Sequence, residues 1–413
     1  MSNTPITAVL CGDLNLIRCL AGKGITTILT SSEPDALTFQ SRHCHRRVLI
    51  ADPRTQPEHA LQDLLTLGRT LPHKPALLYD NEPMMLLVSR NRGLLQDHYR
   101  FLLPDPESVE DMANKVRFTH LAERLDLPVP RTLLSRQVQS AQAAAALLSL
   151  PCIFKPVSHV GWYEADIVRQ AGGKPFKALL ASTPEQFASL WEQMNQYTPD
   201  FVIQEYIPGP DDCIYSFHAY LDRNSMPLGY YVGKKIRTYP KCSGISTYLE
   251  LVHEPRLVQL GLDILAKLKY AGPVKLDFKK DTTRDRFYLL EINSRFNLWN
   301  HLGTACGINL PYIACLDLHG QACPPLANYR TGIRWLSFGN DLRAFLQDYH
   351  RDGDLSWLQY LKSLRGPKVY DVFSWRDPRP WAVSTLRYLR IKLRKRLRLP
   401  RRHSPSPALS PTP

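Results

Sequence analysis

The first hundred residues alternate short apolar runs with polar turns. An apolar run that ends at Gly12-Asp13 is followed by a stretch of helical spacing and then by a run rich in β-branched side chains. A strand, a helix and a second strand joined by short turns predict a βαβ unit on a parallel sheet. The elements predicted in this region are strands at 6–11, 25–30, 48–50 and 76–79 and helices at 14–21 and 58–70.

The middle of the chain begins with a helix that is marked by a capping motif. Ser108-x-x-Asp111 has the form of a capping box, with Asp in place of Glu or Gln, and opens a predicted helix over 109–125 that carries Lys115. Residues 158–176 are polar and contain several glycines, which is the composition of a mobile loop. The other predicted elements are strands at 153–156, 201–207, 213–221, 228–235 and 247–251 and helices at 183–196 and 256–268.

A polar turn at 279–285 joins two apolar runs, at 274–278 and 287–292, and predicts an antiparallel hairpin. Asp277 lies on the first strand, while Glu291 and Asn293 lie on the second and share one face because side chains alternate along a strand. Three oxygen donors facing one space suit Mg²⁺, which takes one or two carboxylates together with substrate phosphates. The alternative is a solvated strand end with incidental charge.

Several cations that are far apart in sequence precede this acidic set along the chain. Nucleotide phosphates need several cations and backbone N–H groups that converge from different elements. A single lysine is usually only a surface residue, so the order of the set is what favours a nucleotide site. Its members are Lys115, Lys155, Lys234, Lys235, Arg237 and Lys275.

The stretch from Gln204 to Gly209 is an apolar strand exit that runs into a Pro-Gly turn. Backbone donors and acceptors at such a turn suit the edge of an adenine ring, and Asp211 or Asp212 then lies close enough to accept hydrogen bonds from ribose hydroxyls. An ordinary strand exit has the same pattern.

The composition describes a globular chain with a basic tail. Of 413 residues, 44% are apolar and 22% are charged, which excludes a disordered, collagen-like or coiled-coil chain. The formal charge is +14, but nine Lys/Arg and no acid fall between residues 386 and 402, so the rest of the chain has 43 Lys+Arg against 38 Asp+Glu, or +5. The excess charge is therefore poor evidence for a specific nucleic-acid partner.

The basic tail has helical spacing, with Leu386, Leu389, Leu393 and Leu397 on one face. A basic amphipathic helix can lie on an anionic membrane surface. The alternative is that the leucine stripe packs on the body of the protein. Residues 403–413 are Ser/Pro-rich and are predicted to be disordered.

Targeting signals and cysteine usage favour the cytoplasm. The first ten residues contain no basic segment followed by a long apolar one, and no apolar run reaches the roughly 18 residues of a membrane span. Nine irregularly spaced cysteines form no CxxC pair, which fits a reducing compartment. We therefore expect a cytoplasmic protein, with a peripheral position at the inner membrane face if the tail binds lipid.

The ordered motifs resemble those of the ATP-grasp superfamily. They are Lys115, Phe154-Lys155-Pro156, Gln204 to Gly209, Lys234/Lys235, Lys275-x-Asp277 and Glu291-x-Asn293. The resemblance extends from about residue 5 to 325 and is closest to D-aspartate ligase and carbamoyl-phosphate-synthase-like members. It implies an α/β (α+β) fold, with an N-terminal parallel-sheet domain followed by a two-lobed ATP-grasp fold.

The resemblance also implies boundaries and roles. The domains would be 1–110 and 111–325, with a lid lobe at about 150–200. Beyond the resemblance, a mixed globular stretch with Trp335, Trp357 and Trp375 predicts a C-terminal globular extension at 326–385 that packs on the body, followed by the basic helix and tail at 386–413. Lys115 and Lys155 would bind the phosphates, and Lys234 or Lys235 would contact the nucleotide. Glu205, Tyr206 and Ile207 would line the adenine pocket, and Asp211 or Asp212 would bind the ribose. Asp277, Glu291 and Asn293 would bind Mg²⁺ (or Mn²⁺). Lys275 would contact the transferred phosphoryl group or the carboxylate, and Arg295 an acyl phosphate or carboxylate.

The chain departs from the superfamily pattern in two places. The stretch that would cover the phosphates, 158–163, is bulky where the family is Gly/Ser-rich, and Ser294 replaces the proline usual before the arginine. The bulky stretch affects how the loop would close over ATP. The serine affects how the Arg295 side chain would be oriented.

The implied activity is an ATP- and Mg²⁺-dependent carboxylate–amine ligase that acts through an acyl phosphate. Its partners would be a small-molecule carboxylate and an amine. The alternatives are a carboxylase-like or kinase-like enzyme with the same site, and a non-catalytic nucleotide-binding module recruited to a membrane surface.

Overall fold

The computed structural model describes residues 5–157, 179–198, 200–242 and 244–397, and in these the strands form three β-sheets. The predicted loop at 158–176 and the predicted disordered tail at 403–413 lie outside the described residues. The strands are β1 Thr7–Cys11, β2 Thr26–Ser31, β3 Arg46–Leu49, β4 Ala76–Tyr79, β5 Thr132–Leu134, β6 Cys152–Pro156, β7 Leu179–Ala181, β8 Phe201–Glu205, β9 Ile214–Leu221, β10 Pro227–Tyr239, β11 Ile245–Leu251, β12 Gly272–Asp281, β13 Arg286–Asn293, β14 Arg334–Leu336 and β15 Lys368–Tyr370.

The helices cover the sheets and mostly begin at a proline or at a capping side chain. They are α1 Leu14–Cys19, α2 Pro57–Arg69, α3 Glu82–Arg90, α4 Arg92–Leu95, α5 Pro106–Ala113, α6 Lys115–Arg124, α7 Ala141–Leu147, α8 Pro184–Tyr197, α9 Pro255–Lys267, α10 Asn300–Cys306, α11 Leu310–Leu318, α12 Phe338–Ala344, α13 Trp357–Ser363 and α14 Arg379–Leu397. A π-helical turn, Phe345–Tyr349, follows α12, and short 3-10 turns lie at Leu37–Gln40, Ser135–Gln137 and Asp211–Cys213.

The first sheet is the predicted parallel one, with strand order β3-β2-β1-β4. Strands β1, β2 and β4 are buried on both faces, as their near-continuous apolar sequences require, whereas the edge strand β3 is mostly exposed. Asp13 ends the loop after β1 and caps α1, since its carboxylate accepts from the N–H groups of Asn15 and Leu16. The predicted βαβ unit is confirmed, and it places the ends of β1 and β4 at one sheet edge.

The second sheet is antiparallel and small, with strand order β5-β8-β6-β7. Helices α7 and α8 pack on it around the rings of Phe154, Phe187 and Phe201, with centroids 5.0 and 5.9 Å from that of Phe154. This sheet brings the end of β6, with Lys155, beside β8, which leads into Glu205.

The third sheet has seven strands in the order β13-β12-β9-β10-β11-β14-β15. Strands β12 and β13 form the predicted antiparallel hairpin. Apolar side chains of α6 and α9 fill one face, and α10 and α11 pack against β9, β10 and β12. The N-terminal sheet joins the same core through residues such as Leu10 and Leu78.

The single helix predicted over 109–125 is two helices. Asn114 interrupts it with extended backbone, and its side chain accepts from the N–H groups of Val116 and Arg117 to cap α6. The apolar periodicity continues across the break, which is why the pattern alone did not reveal it. Lys115 is therefore the first residue of a helix rather than an interior one.

The stretch after residue 330 packs on the body, as predicted. Strands β14 and β15 extend the seven-stranded sheet, and the buried indole of Trp335 donates to Asn15 Oδ1 at 2.9 Å. Arg18 on α1 donates to the carbonyls of Asp371 and Val372, and its guanidinium lies 3.5 Å from the carboxylate of Asp377. These contacts fasten the C-terminal part of the chain to the N-terminal sheet.

Candidate active site

The hairpin places the predicted oxygen donors side by side. Asp277 is the direct register partner of Glu291, and Lys275 is the partner of Asn293. A register shift after Asp277 leaves one extra residue on β13, a bulge of the kind that re-aims side chains near active sites. Asn293 Nδ2 donates to Glu291 Oε1 at 3.1 Å, so the amide and the two carboxylates form one group.

The Asp277 carboxylate is buried and surrounded by polar groups. The residue is 5% exposed, its Oδ2 lies 2.6 Å from Lys275 Nζ, and its Oδ1 accepts from the hydroxyl of Ser216 on β9. Burial raises the pKa of Asp277, and the nearby Glu291 carboxyl adds to the rise, while Lys275 and Lys235 oppose it. A buried carboxylate held against the exposed carboxylate of Glu291 favours the binding of a further cation.

These residues fit a divalent ion that also takes ligands from a substrate. Within the described ranges no cluster of three or more His, Cys, Asp or Glu side chains forms a complete metal site. Two carboxylates and one amide are fewer than the six ligands of Mg²⁺, which commonly completes its shell with water and phosphate oxygens. The donor set therefore suits Mg²⁺ that arrives with a nucleotide.

Arg295 joins this group to the N-terminal sheet. Its Nη2 donates to Asn293 Oδ1 at 3.0 Å and its Nη1 donates to the carbonyl of Asp80, directly after β4, at 2.9 Å. The backbone N–H of Phe296 also donates to the carbonyl of Tyr79 at 3.1 Å. With Ser294 in place of the usual proline, Arg295 still lies beside the donor set.

Asp80 is a site residue that sequence reasoning missed. Its Oδ2 accepts from the backbone N–H of Asp13 at 2.7 Å, and burial together with the Asp13 carboxylate raises the pKa of Asp80 to about 7. A signal was available, because Gly12-Asp13 and Asp80-Asn81 each follow an apolar strand. The carboxyl ends of parallel strands meet at one edge, which is where α/β proteins bind ligands.

The predicted phosphate-binding lysines lie on different elements. Lys115 Nζ donates to the carbonyl of Val157 at 3.4 Å, and Lys155 Nζ donates to Gln204 Oε1 at 2.7 Å. Lys234 pairs with Asp212 at 3.4 Å and lies over the ring of Tyr215. Lys235 lies on β10, two strands from Asp277 in the sheet, and its positive charge lowers the pKa of Asp277. The contacts place Lys155 beside β8 and Lys235 near the acidic group.

Residues 205–207 lie where the small sheet connects to the large one. The N–H groups of Glu205 and Tyr206 donate to the carbonyls of Arg131 and Pro151, and Ile207 is buried. The Glu205 carboxylate lies 3.0 Å from Arg284 on the β12–β13 turn. The strand exit is therefore held by both sheets.

Lys279 is a second residue that the sequence did not single out. Its Nζ donates to the carbonyls of Gly209 and Pro210, the latter at 2.9 Å, and burial lowers its pKa. Gly209 has φ +121°, and a Cβ there would lie 3.0 Å from Cys213 Sγ, so the turn requires glycine. Lys279 thereby ties the Pro-Gly turn to the strand that carries Asp277.

The two candidate ribose carboxylates differ in environment. Asp211 is buried and accepts from Thr238 Oγ1 at 2.8 Å, from the Cys242 N–H at 3.0 Å and from the Tyr349 hydroxyl. Asp212 is exposed and pairs with Lys234. The first carboxylate is committed to holding the fold, and the second is available to a ligand.

An aromatic cluster supports Lys275 from behind. His218, the register partner of Lys275 on β9, stacks on Tyr231 at 4.7 Å and lies 5.2 Å from Trp299. Burial lowers the pKa of His218 well below its ordinary value, so this imidazole is neutral. A Cβ at Gly233 would lie 2.2 Å from the Trp299 ring, so only glycine allows this packing. The side chain of Lys275 packs against this cluster, with its Nζ 5.9 Å from the centre of the Trp299 ring.

Comparisons with solved structures identify the fold. N5-carboxyaminoimidazole synthetase from Staphylococcus aureus aligns with a TM-score of 0.60 at 11% identity, over 85% of this chain and 87% of that one. Biotin carboxylase from Campylobacter jejuni aligns with a TM-score of 0.58 at 15% identity, over 79% and 74% of the two chains. L-amino acid ligase from Bacillus licheniformis aligns with a TM-score of 0.55 at 14% identity, over 77% and 75%. The chain has the ATP-grasp fold with a preceding N-terminal domain, as the sequence resemblance implied.

Among curated proteins the chain is similar to D-aspartate ligase of Enterococcus faecium, at 26% identity over 231 residues, which is 54% of each chain. It is also similar to the carbamoyl phosphate synthase large chain of Clostridium acetobutylicum, at 23% identity over 327 residues, 75% of this chain and 28% of that one. The chain thus spans about half of the first relative and about a quarter of the second. No family model matches the sequence.

Proposed function

We propose that this protein is an ATP-dependent ligase that joins a carboxylate to an amine. The observation that carries the proposal is the register pairing of Asp277 with Glu291, together with Asn293, Lys275 and Arg295 around one carboxylate group. The site borders the ligand-binding edge of the N-terminal sheet, at Asp80. The similarity to D-aspartate ligase favours an amino acid as the carboxylate substrate.

The proposed reaction has two steps. An oxygen of the substrate carboxylate attacks the γ-phosphorus of ATP, the bond to the β-γ bridging oxygen breaks, and an acyl phosphate and ADP form. The amine then attacks the acyl carbon, phosphate leaves with the electrons of the acyl–oxygen bond, and the amine loses a proton as the amide forms. Such a reaction needs positioning and charge neutralisation rather than a nucleophilic side chain.

The residues of the chain have distinct roles in this proposal. Asp277, Glu291 and Asn293 would hold Mg²⁺ (or Mn²⁺), which supplies charge neutralisation on the phosphate oxygens when it is bound. Lys115, Lys155 and Lys234 or Lys235 would bind the nucleotide phosphates, and Glu205, Tyr206 and Ile207 would line the adenine. Asp212 rather than Asp211 would accept from the ribose. Lys275 and Arg295 would bind the reacting phosphoryl and carboxylate groups.

Hydroxylamine provides a test that needs no knowledge of the natural amine. The protein is incubated with ATP, Mg²⁺, hydroxylamine and single amino acids, beginning with D-aspartate, and hydroxamate and phosphate are measured. We expect hydroxamate with at least one carboxylate and none with Glu291→Gln, which should still bind ATP. Glu192→Gln, at an exposed carboxylate on α8, is the matched control and should retain activity.

The product distinguishes the alternatives. A stable phosphorylated compound without hydroxamate would indicate kinase-like use of the site, and bicarbonate-dependent phosphate release would indicate carboxylase-like use. Nucleotide binding without turnover on any carboxylate would favour a non-catalytic module and overturn the ligase proposal.

We also propose that the protein is cytoplasmic and that α14 holds it to an anionic bilayer. Leu386 and Leu389 are 55% and 48% exposed, so this part of the leucine stripe does not pack on the body, which was the alternative interpretation of the sequence. The helix is attached instead by Arg387, which donates to the carbonyl of Asp35 at 2.6 Å and pairs with its carboxylate at 3.1 Å.

The positive charge of this helix and the aromatic side chains near it also support an anionic bilayer as the partner. No acid occurs in Arg379–Leu397, and Trp375 and Trp381 are 87% and 46% exposed. Exposed cations with leucine and tryptophan on one short segment suit the boundary between lipid headgroups and acyl chains. None of the described helices is both long and apolar enough to cross a bilayer.

Vesicle flotation tests the membrane proposal. We expect the full chain to float with phosphatidylglycerol vesicles at low salt and not with pure phosphatidylcholine, and Leu386→Ser/Leu389→Ser to lose binding. Leu180→Ser, at a leucine of 49% exposure on β7, is the control that should still bind. Absence of flotation with anionic vesicles would overturn this proposal and leave the ligase proposal untouched.

A further inference from the structure

A cleft of about 280 Å³ lies at the end of β4 opposite to Asp80. Strand β4 begins beside Arg100, whose N–H and carbonyl bond to Pro75 and Leu77, and it ends at the candidate active site. The cleft is lined by Arg92, Gln96, Tyr99, Arg100, Arg223 and Leu318, with Phe101, Leu102 and Leu103. It is therefore separate from the nucleotide and metal residues, although one strand connects the two places.

Three arginines line this cleft, and they come from two parts of the fold. Arg92 and Arg100 belong to the N-terminal region, and Arg223 lies in the turn between β9 and β10 of the large sheet. Within the part of the chain that the structure describes, none of the three lies within 4.0 Å of a carboxylate oxygen in an ion pair. By contrast, Arg237 and Arg334 of the same sheet are both paired with acids.

The guanidinium groups of Arg92 and Arg100 are positioned by neutral acceptors. Arg92 Nη2 donates to the carbonyl of Pro104 at 2.8 Å and to Ser89 Oγ at 3.1 Å, and Arg100 Nη1 donates to the carbonyl of Leu318 at 3.2 Å. Burial lowers the pKa of Arg92, but a guanidinium remains charged in proteins. These hydrogen bonds fix Arg92 and Arg100 through acceptors that carry no charge, while Arg223 is exposed.

Three acids that neighbour the lining residues in sequence have partners of their own. Asp105 accepts from the N–H of Ser108 at 3.0 Å and caps α5, although it also attracts Arg92. Asp222 accepts from the N–H groups of Asn224 and Met226 in its own turn, and Asp317 accepts from the Tyr220 hydroxyl at 2.7 Å. The charged side chains that line the cleft are all arginines.

We propose that this cleft binds a small phosphate-bearing molecule and that it is a second anion site, distinct from the ATP site. Arginine forms paired hydrogen bonds to phosphate oxygens, and three guanidiniums supply enough positive charge for a phosphate monoester, which carries about 1.5–2 negative charges at pH 7. The volume approaches the lower end for small-molecule pockets, so it accommodates more than the phosphate group alone. A ligand here would bridge the N-terminal region and the β9–β10 turn.

A ligand that bridges these two regions would also affect the candidate active site. Strand β4 leads from the cleft to Asp80, and β9 carries Ser216 and His218 beside Asp277 and Lys275. A ligand that holds the N-terminal region against the large sheet therefore acts on both elements that border the candidate active site.

Calorimetry on the full chain tests the site. A saturating non-hydrolysable ATP analogue with Mg²⁺ is present throughout, so that phosphate compounds cannot be measured at the nucleotide site. Inorganic phosphate, ribose 5-phosphate and ribose are titrated separately. Stronger binding of ribose 5-phosphate than of phosphate would identify an ester as the ligand, and equal binding would identify free phosphate; either supports the proposal.

The variants Arg100→Gln and Arg223→Gln should each weaken this binding about tenfold or more, since a charge-assisted hydrogen bond contributes about 1.5–3 kcal/mol. Arg256→Gln, at an exposed arginine that pairs with Asp285, is the matched control and should bind like the parent chain. Affinity for the ATP analogue should be unchanged in all three variants, and unchanged thermal melting would show that they fold. Equal binding by parent and variants, or no binding at about 10 mM ligand, would overturn the proposal.

Discussion

The Arg295 guanidinium donates to the Asp80 carbonyl at 2.9 Å with one nitrogen and to Asn293 Oδ1 at 3.0 Å with another. These partners lie on opposite sides of the candidate active site, one at the edge of the N-terminal sheet and one on the hairpin of the large sheet. A planar guanidinium suits this double contact because its donors are fixed in one plane. Arg295 thus positions the Asn293 amide, a proposed metal ligand, relative to the edge of the N-terminal sheet.

We expect Arg295→Lys to lower kcat/KM of the proposed ligase by about 10- to 100-fold, because an ammonium cannot make both contacts and charge-assisted hydrogen bonds contribute about 1.5–3 kcal/mol. ATP affinity should change little, since the hydrogen bonds of Arg295 go to Asp80, Asn293 and Phe296 and not to β8 or to the proposed phosphate-binding lysines. The measurement is hydroxamate formation against substrate concentration, with Arg256→Lys as a surface control. Full activity in Arg295→Lys would exclude a role for the guanidinium in catalysis.

The two neighbouring carboxylates Asp211 and Asp212 should respond differently to the same substitution. Asp211→Asn leaves hydrogen bonds from Thr238, Cys242 and Tyr349 with a weaker acceptor, and we expect a loss of about 1–3 kcal/mol in the free energy of unfolding. Asp212→Asn should leave stability unchanged and raise the Kd for ATP. Chemical denaturation and ATP titration of both variants provide the check, and a reversed pattern would assign the ribose to Asp211.

Asp80 should make stability depend on pH. Its pKa is raised from 3.8 to about 7 in the folded protein, so between these values the folded state binds more protons than the unfolded state. The stability associated with Asp80 is therefore largest at low pH and is lost as pH rises toward 7, with a slope of at most about 1.4 kcal/mol per pH unit.

Asp80→Asn removes this titration. We expect the variant to show a flatter dependence of the free energy of unfolding on pH between 4 and 7, and to be the more stable protein above pH 7. Urea unfolding of both proteins across this range is the measurement. Parallel pH profiles would contradict the raised pKa.

Lys279 and Lys280 form a natural pair of test and control. Lys279→Met leaves the carbonyls of Gly209 and Pro210 without their donor, so we expect a loss of about 1–3 kcal/mol in stability and weaker ATP binding through the displaced turn. Lys280, whose partner is Asp285 at 2.9 Å, is mostly a surface cation, and Lys280→Met should cost less than about 1 kcal/mol. Equal effects in unfolding and ATP titrations would show that the Gly209 turn does not depend on Lys279.

The elements predicted from the chain were those with strong local signals. Apolar alternation gave the β12–β13 hairpin, and a spacing of two placed Glu291 and Asn293 on one face of it. Asn114 shows the limit of such patterns, because the apolar period continues through a backbone break that a single capping side chain creates. Asp211 and Asp212 are likewise equivalent in sequence and differ in burial and in their partners, which lie far away along the chain.

By itself, the sequence determined the βαβ unit, the β12–β13 hairpin and the acidic set on it through local patterns, and the superfamily resemblance through the order of short motifs along the chain. Only the tertiary structure decided what Arg295 contacts, that β14 and β15 extend the large sheet, and that Arg92, Arg100 and Arg223 share a cleft. Asp80 and Arg295 are 215 residues apart. Contacts over that distance arise from sheet order and packing, which local periodicity does not encode.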